Sequence, residues 1–364
     1  MRRVSKVKNQ KALVLVLIAI LIFSSIVVTG CRKESTTSEK TGTLQIAAVA
    51  PFEDQYFNIW FEGARAAAKK LNVKLSEATA GWDPNKQNNL IEAAVAAGAK
   101  GVLVARVDLD AFVPLSQKLT QQGIAVVTTD GPVHTGPRLA HLSSDDMKVG
   151  QAIGKALLEG LEKSGKPKPW KIVAFAGLPG TYAGMVRIEG ALSILNPLIQ
   201  KGEIKLVSTE IANFDRELGM KKMEAILART HEIDGIFGAN DDMVLGAAKA
   251  CENAGLKPGK DVILVGVDVI PDAQQAIRDE KMYASISQAP YLEGYWGTCI
   301  LYFNLTTGCK PDSIELPIPI ITVTKQNVND FEREVRFDQP PSKEWFTNCK
   351  DKYEEFVKKF WETK

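Results

Sequence analysis

Short apolar runs alternate with helical apolar patterns along most of this chain. Residues 44–49 form the first run, followed by a polar stretch through Phe57 and an Ala-rich helical pattern to about Leu71. Residues 73–77, 101–105 and 124–128 read as further strands, the last leading to Asp130. The patterns at 84–97 and 110–122 are the helices between them, stopped by Gly98 and Gly123. Residues 141–146 are polar and read as a crossing segment, and 149–163 as a helix.

From Trp170 the alternation restarts. A strand over 171–176, a turn over 177–180, a helix over 181–195, a strand over 204–209 and a helix over 218–229 follow in order. Three short apolar runs, 235–238, 262–267 and 283–286, then lead to polar side chains at Asn240, Asp268 and Gln288. Between them Asn240-Asp241-Asp242 offers capping oxygens to a helix over 243–253, Gly255 and Pro258 close it, and Pro271 opens the next. After Gln288, Ala289-Pro290 starts a helix to about Asn304, and the apolar stretch 316–323 is expected to pass back through the first half and return.

Strand and helix in this alternation make wound parallel sheets with crossover helices. The expected fold is therefore α/β, with two similar Rossmann-like lobes, each a parallel sheet flanked by helices, joined by a multi-strand hinge. In such sheets ligands bind in the crevice beyond the carboxyl ends of the strands. Asn240, Asp268 and Gln288 should face one cleft.

The first 31 residues differ in kind. Arg2, Arg3, Lys6, Lys8 and Lys11 precede an apolar run over 12–28 broken only by Ser24-Ser25, and Val28-Thr29-Gly30-Cys31 follows. That tetrapeptide resembles a bacterial lipobox, so 1–30 is expected to be a signal peptide and Cys31 the lipidated residue. The alternative is an uncleaved membrane anchor, since the run approaches the length that spans a bilayer. Either way the body sits outside the cytoplasmic membrane. Residues 31–43, rich in Ser, Thr and charge, read as a flexible tether.

The chain has 45 Lys and Arg against 43 Asp and Glu. Without the five basic residues that precede Cys31 the body is net −3, which argues against nucleic acid as a partner. Cys251, Cys299, Cys309 and Cys349 allow three pairings, among them a Cys299–Cys309 clip from a helix to the turn after it. No cysteine or histidine cluster has metal-ligand spacing, so neither metal nor cofactor is expected. In the tail, Pro340-Pro341 is followed by Trp345, Cys349, Tyr353, Phe356 and Phe360 at helical spacing, an amphipathic helix expected to pack on the body.

The candidate site collects Asp54, Tyr56 and Phe57 from the end of the first strand and Asp130 from the end of the fourth. Arg187, Phe214, Asn240, Asp268 and Gln288 join it from the second half. Planar carboxylates, carboxamides and a guanidinium can make paired hydrogen bonds to neighbouring hydroxyls, while Phe and Tyr offer apolar faces to the C–H side of a ring. That combination suits a small neutral polyol. A phosphate would need a glycine-rich amide cradle or a GK[ST] signature, and neither is present. Taken singly, Asn240 and Asp268 could simply cap helices, Arg187 could pair with Glu189 or Asp215, and Phe57 and Phe214 could be core. Asp54 and Asp268 could be imagined as the acid and nucleophile of a surface glycosidase. No nucleophile elbow, Cys/His pair or metal triad accompanies them.

Several segments carry a resemblance: Asp54-Gln55-Tyr56-Phe57 with Gly63-Ala64, Thr129-Asp130, Ser144-Asp145, Arg187 with Gly190, Phe214-Asp215, Asn240-Asp241 with Gly246-Ala247, Val265-Gly266-Val267-Asp268 and Ile286-Ser287-Gln288. Together they resemble the periplasmic sugar-binding proteins of ABC transporters, the type I fold shared with LacI-like repressor cores. The resemblance covers about residues 44–331. It implies that Tyr56 and Phe57 sandwich a sugar ring from one lobe and Phe214 from the other, while Asp130, Arg187, Asn240, Asp268 and Gln288 hold hydroxyls.

Ribose binders of that family have Asn where Asp54 stands, Asn at Ala105 and Arg at Gly131. Asp54 resembles the acid of glucose/galactose binders, and the bare positions leave space or let Arg106 or Trp82 intrude. A hexose or similar polyol is implied, received by a monomeric, non-enzymatic, lipid-anchored receptor that hands it to an ABC permease. A receptor for a chemoreceptor or sensor kinase is the rival. The expected layout is 44–144 with 289–318 as one lobe, 145–288 with 319–331 as the other, and 332–364 as a helical extension.

Overall fold

The structure, a computed structural model, describes residues 43–133, 135–335 and 338–362. The expected signal peptide, Cys31 and nearly all of the tether lie outside the described residues. Among the described residues no helix is long and apolar enough to cross a membrane.

The first half of the chain runs β1 (Gln45–Ala50), α1 (Gln55–Leu71), β2 (Lys74–Thr79), α2 (Pro84–Ala96), β3 (Gly101–Ala105), α3 (Leu109–Gln121), β4 (Ala125–Thr129) and β5 (Ala140–Ser143). It continues with α4 (Asp146–Lys163), β6 (Trp170–Ala176), α5 (Tyr182–Gln200), β7 (Ile204–Ile211), α6 (Arg216–Leu227), β8 (Gly235–Gly238), α7 (Asp241–Asn253), β9 (Ile263–Val267), α8 (Pro271–Arg278) and β10 (Ala284–Ser287). Then come α9 (Pro290–Thr307), β11 (Glu315–Pro317), β12 (Ile321–Thr324) and α10 (Val328–Val335).

Two six-stranded sheets result, ordered β11-β5-β4-β3-β1-β2 and β12-β10-β9-β8-β6-β7. Every pairing is parallel except β10 with β12. This is the expected α/β architecture of two parallel-dominated sheets. Central strands such as β3, β8 and β9 are buried along their whole length, which is why they read as unbroken apolar runs. The chain passes between the sheets three times: after β5, after β10, and between β11 and β12. The apolar stretch 316–323 is thus two short strands, one in each sheet.

Helices on these sheets cross at very short range. A Cβ on Gly63 of α1 would lie 2.0 Å from the Tyr291 carbonyl oxygen on α9, and one on Gly150 of α4 would lie 2.3 Å from the Arg187 oxygen on α5. Gly190 faces Gly150 across the second crossing, so the α4–α5 contact fixes the height at which Arg187 leaves its helix.

Three expectations are corrected. Residues 141–146 are not only a polar crossing: they begin with the buried strand β5, whose His141 is accepted because Nδ1 meets the Thr128 hydroxyl at 2.8 Å and Nε2 the Gly131 carbonyl at 3.0 Å. Burial pushes this imidazole down to about 3, so it is neutral. The Cys299–Cys309 clip does not form. Cys309 is bonded to Cys349, and Cys299 points into the core from α9 as a free thiol, like Cys251. Finally, the tail is not one helix. A 3-10 segment over Lys343–Cys349, interrupted by non-helical backbone at Phe346, leads into α11 (Lys350–Val357). Its apolar side chains cover α9: Trp345 meets Trp296 edge-on at 5.3 Å, and Phe356 lies 5.0 Å from Phe303.

Candidate functional site

The carboxyl ends of the two sheets face one cavity of about 310 Å³, and all nine residues expected at the site line it. Asp54 and Asn240 also cap helices. Asp54 accepts from the Phe57 amide at 2.7 Å, and Asn240 accepts from the Met243 amide at 3.1 Å while its Nδ2 donates to the Phe214 carbonyl at 3.3 Å. The expected capping role thus holds for Asn240, which also lines the cavity, whereas Asp268 caps no helix because Ile270 stands at the N-cap of α8. A cap fixes the rotamer of a side chain that the helix N-terminus holds at the cleft.

The backbone is forced into left-handed conformations at the strand ends: φ is 55° at Asp130, 61° at Phe214 and 105° at Asp268. Non-glycine residues rarely adopt these angles, and surrounding structure must hold them. Around Asp268 that support is visible. The fully buried Asp241 accepts from the Ser285 hydroxyl at 2.7 Å and from the Ile270 amide at 3.1 Å, and Ser285 accepts from the Val269 amide at 3.0 Å. Phe214 is seated on bare backbone, because a Cβ on Gly177 would fall 2.1 Å from its ring.

Across the cleft floor runs a polar chain. Arg187 donates from Nε to Asp146 at 2.8 Å, from Nη1 to the Ala239 carbonyl at 2.9 Å and from Nη2 to Gln288 Oε1 at 2.7 Å. Gln288 in turn donates to Asp268 at 2.9 Å and accepts from Ser144 at 3.2 Å, so strands from both crossings meet there. Arg187 pairs with a buried acid, and not with Glu189 or Asp215. Burial alone would lower its pKa, but Asp146, Asp268 and Asp130 hold the guanidinium above its ordinary value. Burial pushes Asp268 well above the usual carboxylate range against the pull of Arg187, and raises Asp130 as well.

The wall of the cavity is aromatic. Phe57 meets Tyr56 edge-on at 5.0 Å and Phe52 at 5.1 Å, with Phe214 on the opposite lobe. Planar polar groups at the floor and ring faces on both sides describe a slot for a flat, hydroxylated ring. Among the described residues no group of acidic, histidine or cysteine side chains could hold a metal ion.

Residues 46–308 match the family described as periplasmic binding protein domain. The chain belongs to that family. The ribose import binding protein of Bacillus subtilis is 28% identical over 287 residues, covering 77% of this chain and 89% of that protein. A periplasmic solute binding protein of an ABC transporter from Actinobacillus succinogenes, solved with D-allose, has a TM-score of 0.71 at 26% identity, covering 79% of this chain and 100% of that one. The Caulobacter myo-inositol binding protein, solved with myo-inositol, has a TM-score of 0.69 at 25% identity, covering 80% and 96%.

This periplasmic binding protein has site residues that the sequence did not single out. Asp146, which anchors Arg187, and Glu293, fully buried on α9 with no hydrogen-bond partner for either oxygen, lie beside the polar chain. Burial pushes Glu293 well above its ordinary range. Asp146 follows the quoted Ser144-Asp145 pair, but nothing in its neighbourhood signals a partner 41 residues on.

Asp54 yields a prediction in pH. Burial, with Asp242 and Asp130 nearby, raises its carboxyl to about 7. A folded-state pKa above the unfolded value of about 3.9 gives stability that is complete at low pH and lost as pH rises through 7. Asp241, raised by burial to about 8, acts in the same direction. The ligand-free protein is therefore expected to unfold at progressively lower temperature from pH 5 to pH 8, with a shallower fall in Asp54→Asn. Thermal unfolding across that range checks it; a stability that rises with pH would contradict it.

Proposed function

We propose that the chain is an extracytoplasmic receptor that captures a monosaccharide, hexose-like in size, between its two lobes and delivers it to an ABC importer. The observation that carries this reading is the convergence of Asp54, Asp130, Arg187, Asn240, Asp268 and Gln288 with Tyr56, Phe57 and Phe214 on one cavity at the strand ends of both sheets. The relatives' names, for ribose, D-allose and myo-inositol, support a polyhydroxylated ring as ligand.

In this reading Phe57 and Phe214 cover the two faces of the ring, and the carboxylates and Gln288 accept and donate around its hydroxyl edge. Arg187 works as donor and as clamp, because it already ties Asp146, Ala239 and Gln288 together. A ligand touching both lobes stabilises the closed arrangement in proportion to its extra contacts there, and an importer can read that arrangement. No bond of the ligand needs to break. Lipid on Cys31 would keep the monomeric receptor at the membrane surface, with the tether giving it reach. The tail does not favour a sensor partner, since its apolar side chains lie against α9.

The test is thermal unfolding of the protein lacking residues 1–31 against pentoses, hexoses and inositols. A sugar at about a hundred times its dissociation constant should add roughly 2.7 kcal/mol to the stability of the native state. A panel with no stabilising sugar would overturn the proposal and leave the fold untouched.

A further inference from the structure

The cavity is longer than the slot just described. Beyond Phe52 it continues between Trp82, Arg106, Asp108 and Pro132 on the first lobe and Gly180 to Ala183 on the second. The lobes touch at another rim, where Gln55 donates to Asp272 at 3.3 Å. The chain stands back on both sides of this end: a Cβ on Gly131 or on Gly180 would meet no atom within 4 Å.

The outer end carries groups that a single ring at the floor leaves unused. Trp82 stacks on Phe52 with ring centroids 4.2 Å apart and planes 18° apart, yet remains 40% exposed, and Tyr182 across the opening is 48% exposed. The Trp82 backbone is held at φ 62°, a left-handed conformation that fixes where the indole is presented. Arg106 donates from Nη2 to the carbonyls of Pro132 at 2.9 Å and Asp130 at 3.4 Å, which pins its guanidinium to the cavity wall. Its Nε is buried and has no partner. Arg106 as a whole is half-buried and lines the cavity, so its guanidinium is offered to a ligand oxygen there.

We infer that this outer end is a second subsite, so that beside a monosaccharide in the inner slot the receptor takes a disaccharide or related glycoside whose first ring fills that slot and whose second ring lies on Trp82. The inference rests on the sugar-binding reading of the inner slot. A pyranose presents an apolar C–H face to the indole and hydroxyl or glycosidic oxygens at its edge, where the Arg106 guanidinium donates and the Asp108 carboxylate accepts.

Calorimetric titration of D-glucose, D-galactose and D-allose beside maltose, cellobiose, lactose and melibiose tests it, on the wild type and on Trp82→Ala. The expected result is at least one disaccharide binding ten-fold or more tightly than its component hexoses. Trp82→Ala should remove most of that gain while leaving hexose affinity within about two-fold, and Arg106→Gln should lower disaccharide affinity likewise. Equal weakening of hexose and disaccharide in Trp82→Ala would overturn the subsite and make Trp82 a cover for one ring. So would tight hexose binding with every disaccharide rejected. Silence from all seven sugars while a pentose or an inositol binds would overturn the subsite alone, and silence from those as well would overturn the inner-slot reading too, which separates the two failures.

Discussion

Replacing Arg187 with alanine is expected to lower the unfolding midpoint by roughly 6–20 °C and to abolish sugar binding at millimolar ligand. The midpoint estimate combines about 3–5 kcal/mol for breaking a buried ion pair with about 2–4 °C per kcal/mol for a body of this size. The side chains of Arg187 and Asp146 are 4% and 3% exposed, so the variant leaves a carboxylate in the interior without its partner. It also frees the Ala239 carbonyl and unties Gln288. Arg187→Lys should recover little, because one ammonium cannot reach three acceptors that a planar fork reaches together. The double change Arg187→Met with Asp146→Leu should restore most of the stability without restoring binding, since apolar replacement of a buried pair is often neutral. Unfolding curves and titrations on these variants separate the structural role of Arg187 from its role toward ligand. Wild-type stability in Arg187→Ala would contradict the buried pair.

Asp268→Ala is expected to behave in the opposite way on stability. Removing one charge-assisted hydrogen bond to a hydroxyl costs about 1.5–3 kcal/mol, and a carboxylate that accepts two should weaken sugar binding by a hundred-fold or more. The ligand-free protein should be no less stable. Burial pushes Asp268 well above its ordinary range, so as pH rises above the unfolded carboxylate range this group works against the folded state. Arg187 keeps Asp146 as its partner in this variant. Titration calorimetry with thermal unfolding checks both halves. A variant that binds sugar as the wild type does would remove Asp268 from the site.

These opposite signs mark what the sequence could and could not convey. The strand ends were legible because parallel strands buried on both faces read as apolar runs that stop at a polar residue, as at Asn240, Asp268 and Gln288. The helix cap at Asn240 was legible because a capping side chain stands directly before a helical apolar pattern. The pairing of Arg187 with Asp146 was not, because it depends on how closely α4 and α5 cross, and Gly150 and Gly190 set that distance. Gly63, Gly190 and Gly246 were quoted among the site motifs, yet each proves to sit where a neighbouring helix backbone passes within 2.5 Å of a would-be Cβ. His141 misled because a histidine looks polar in sequence, while two well-placed partners let it stay neutral inside a sheet. The left-handed backbone at Phe214 carries no signal in residue type, and at Asp130 and Asp268 only the weak one that Asp tolerates positive φ better than most side chains.

The central claim is that a sugar ring is held at the strand ends of both lobes, and a crystal structure of the protein with its tightest-binding sugar tests it most directly. The expected result is a ring between Phe57 and Phe214, its hydroxyls within hydrogen-bond distance of Asp268, Arg187 and Asp54. A sugar found elsewhere on the surface, with this cavity holding only solvent, would contradict it.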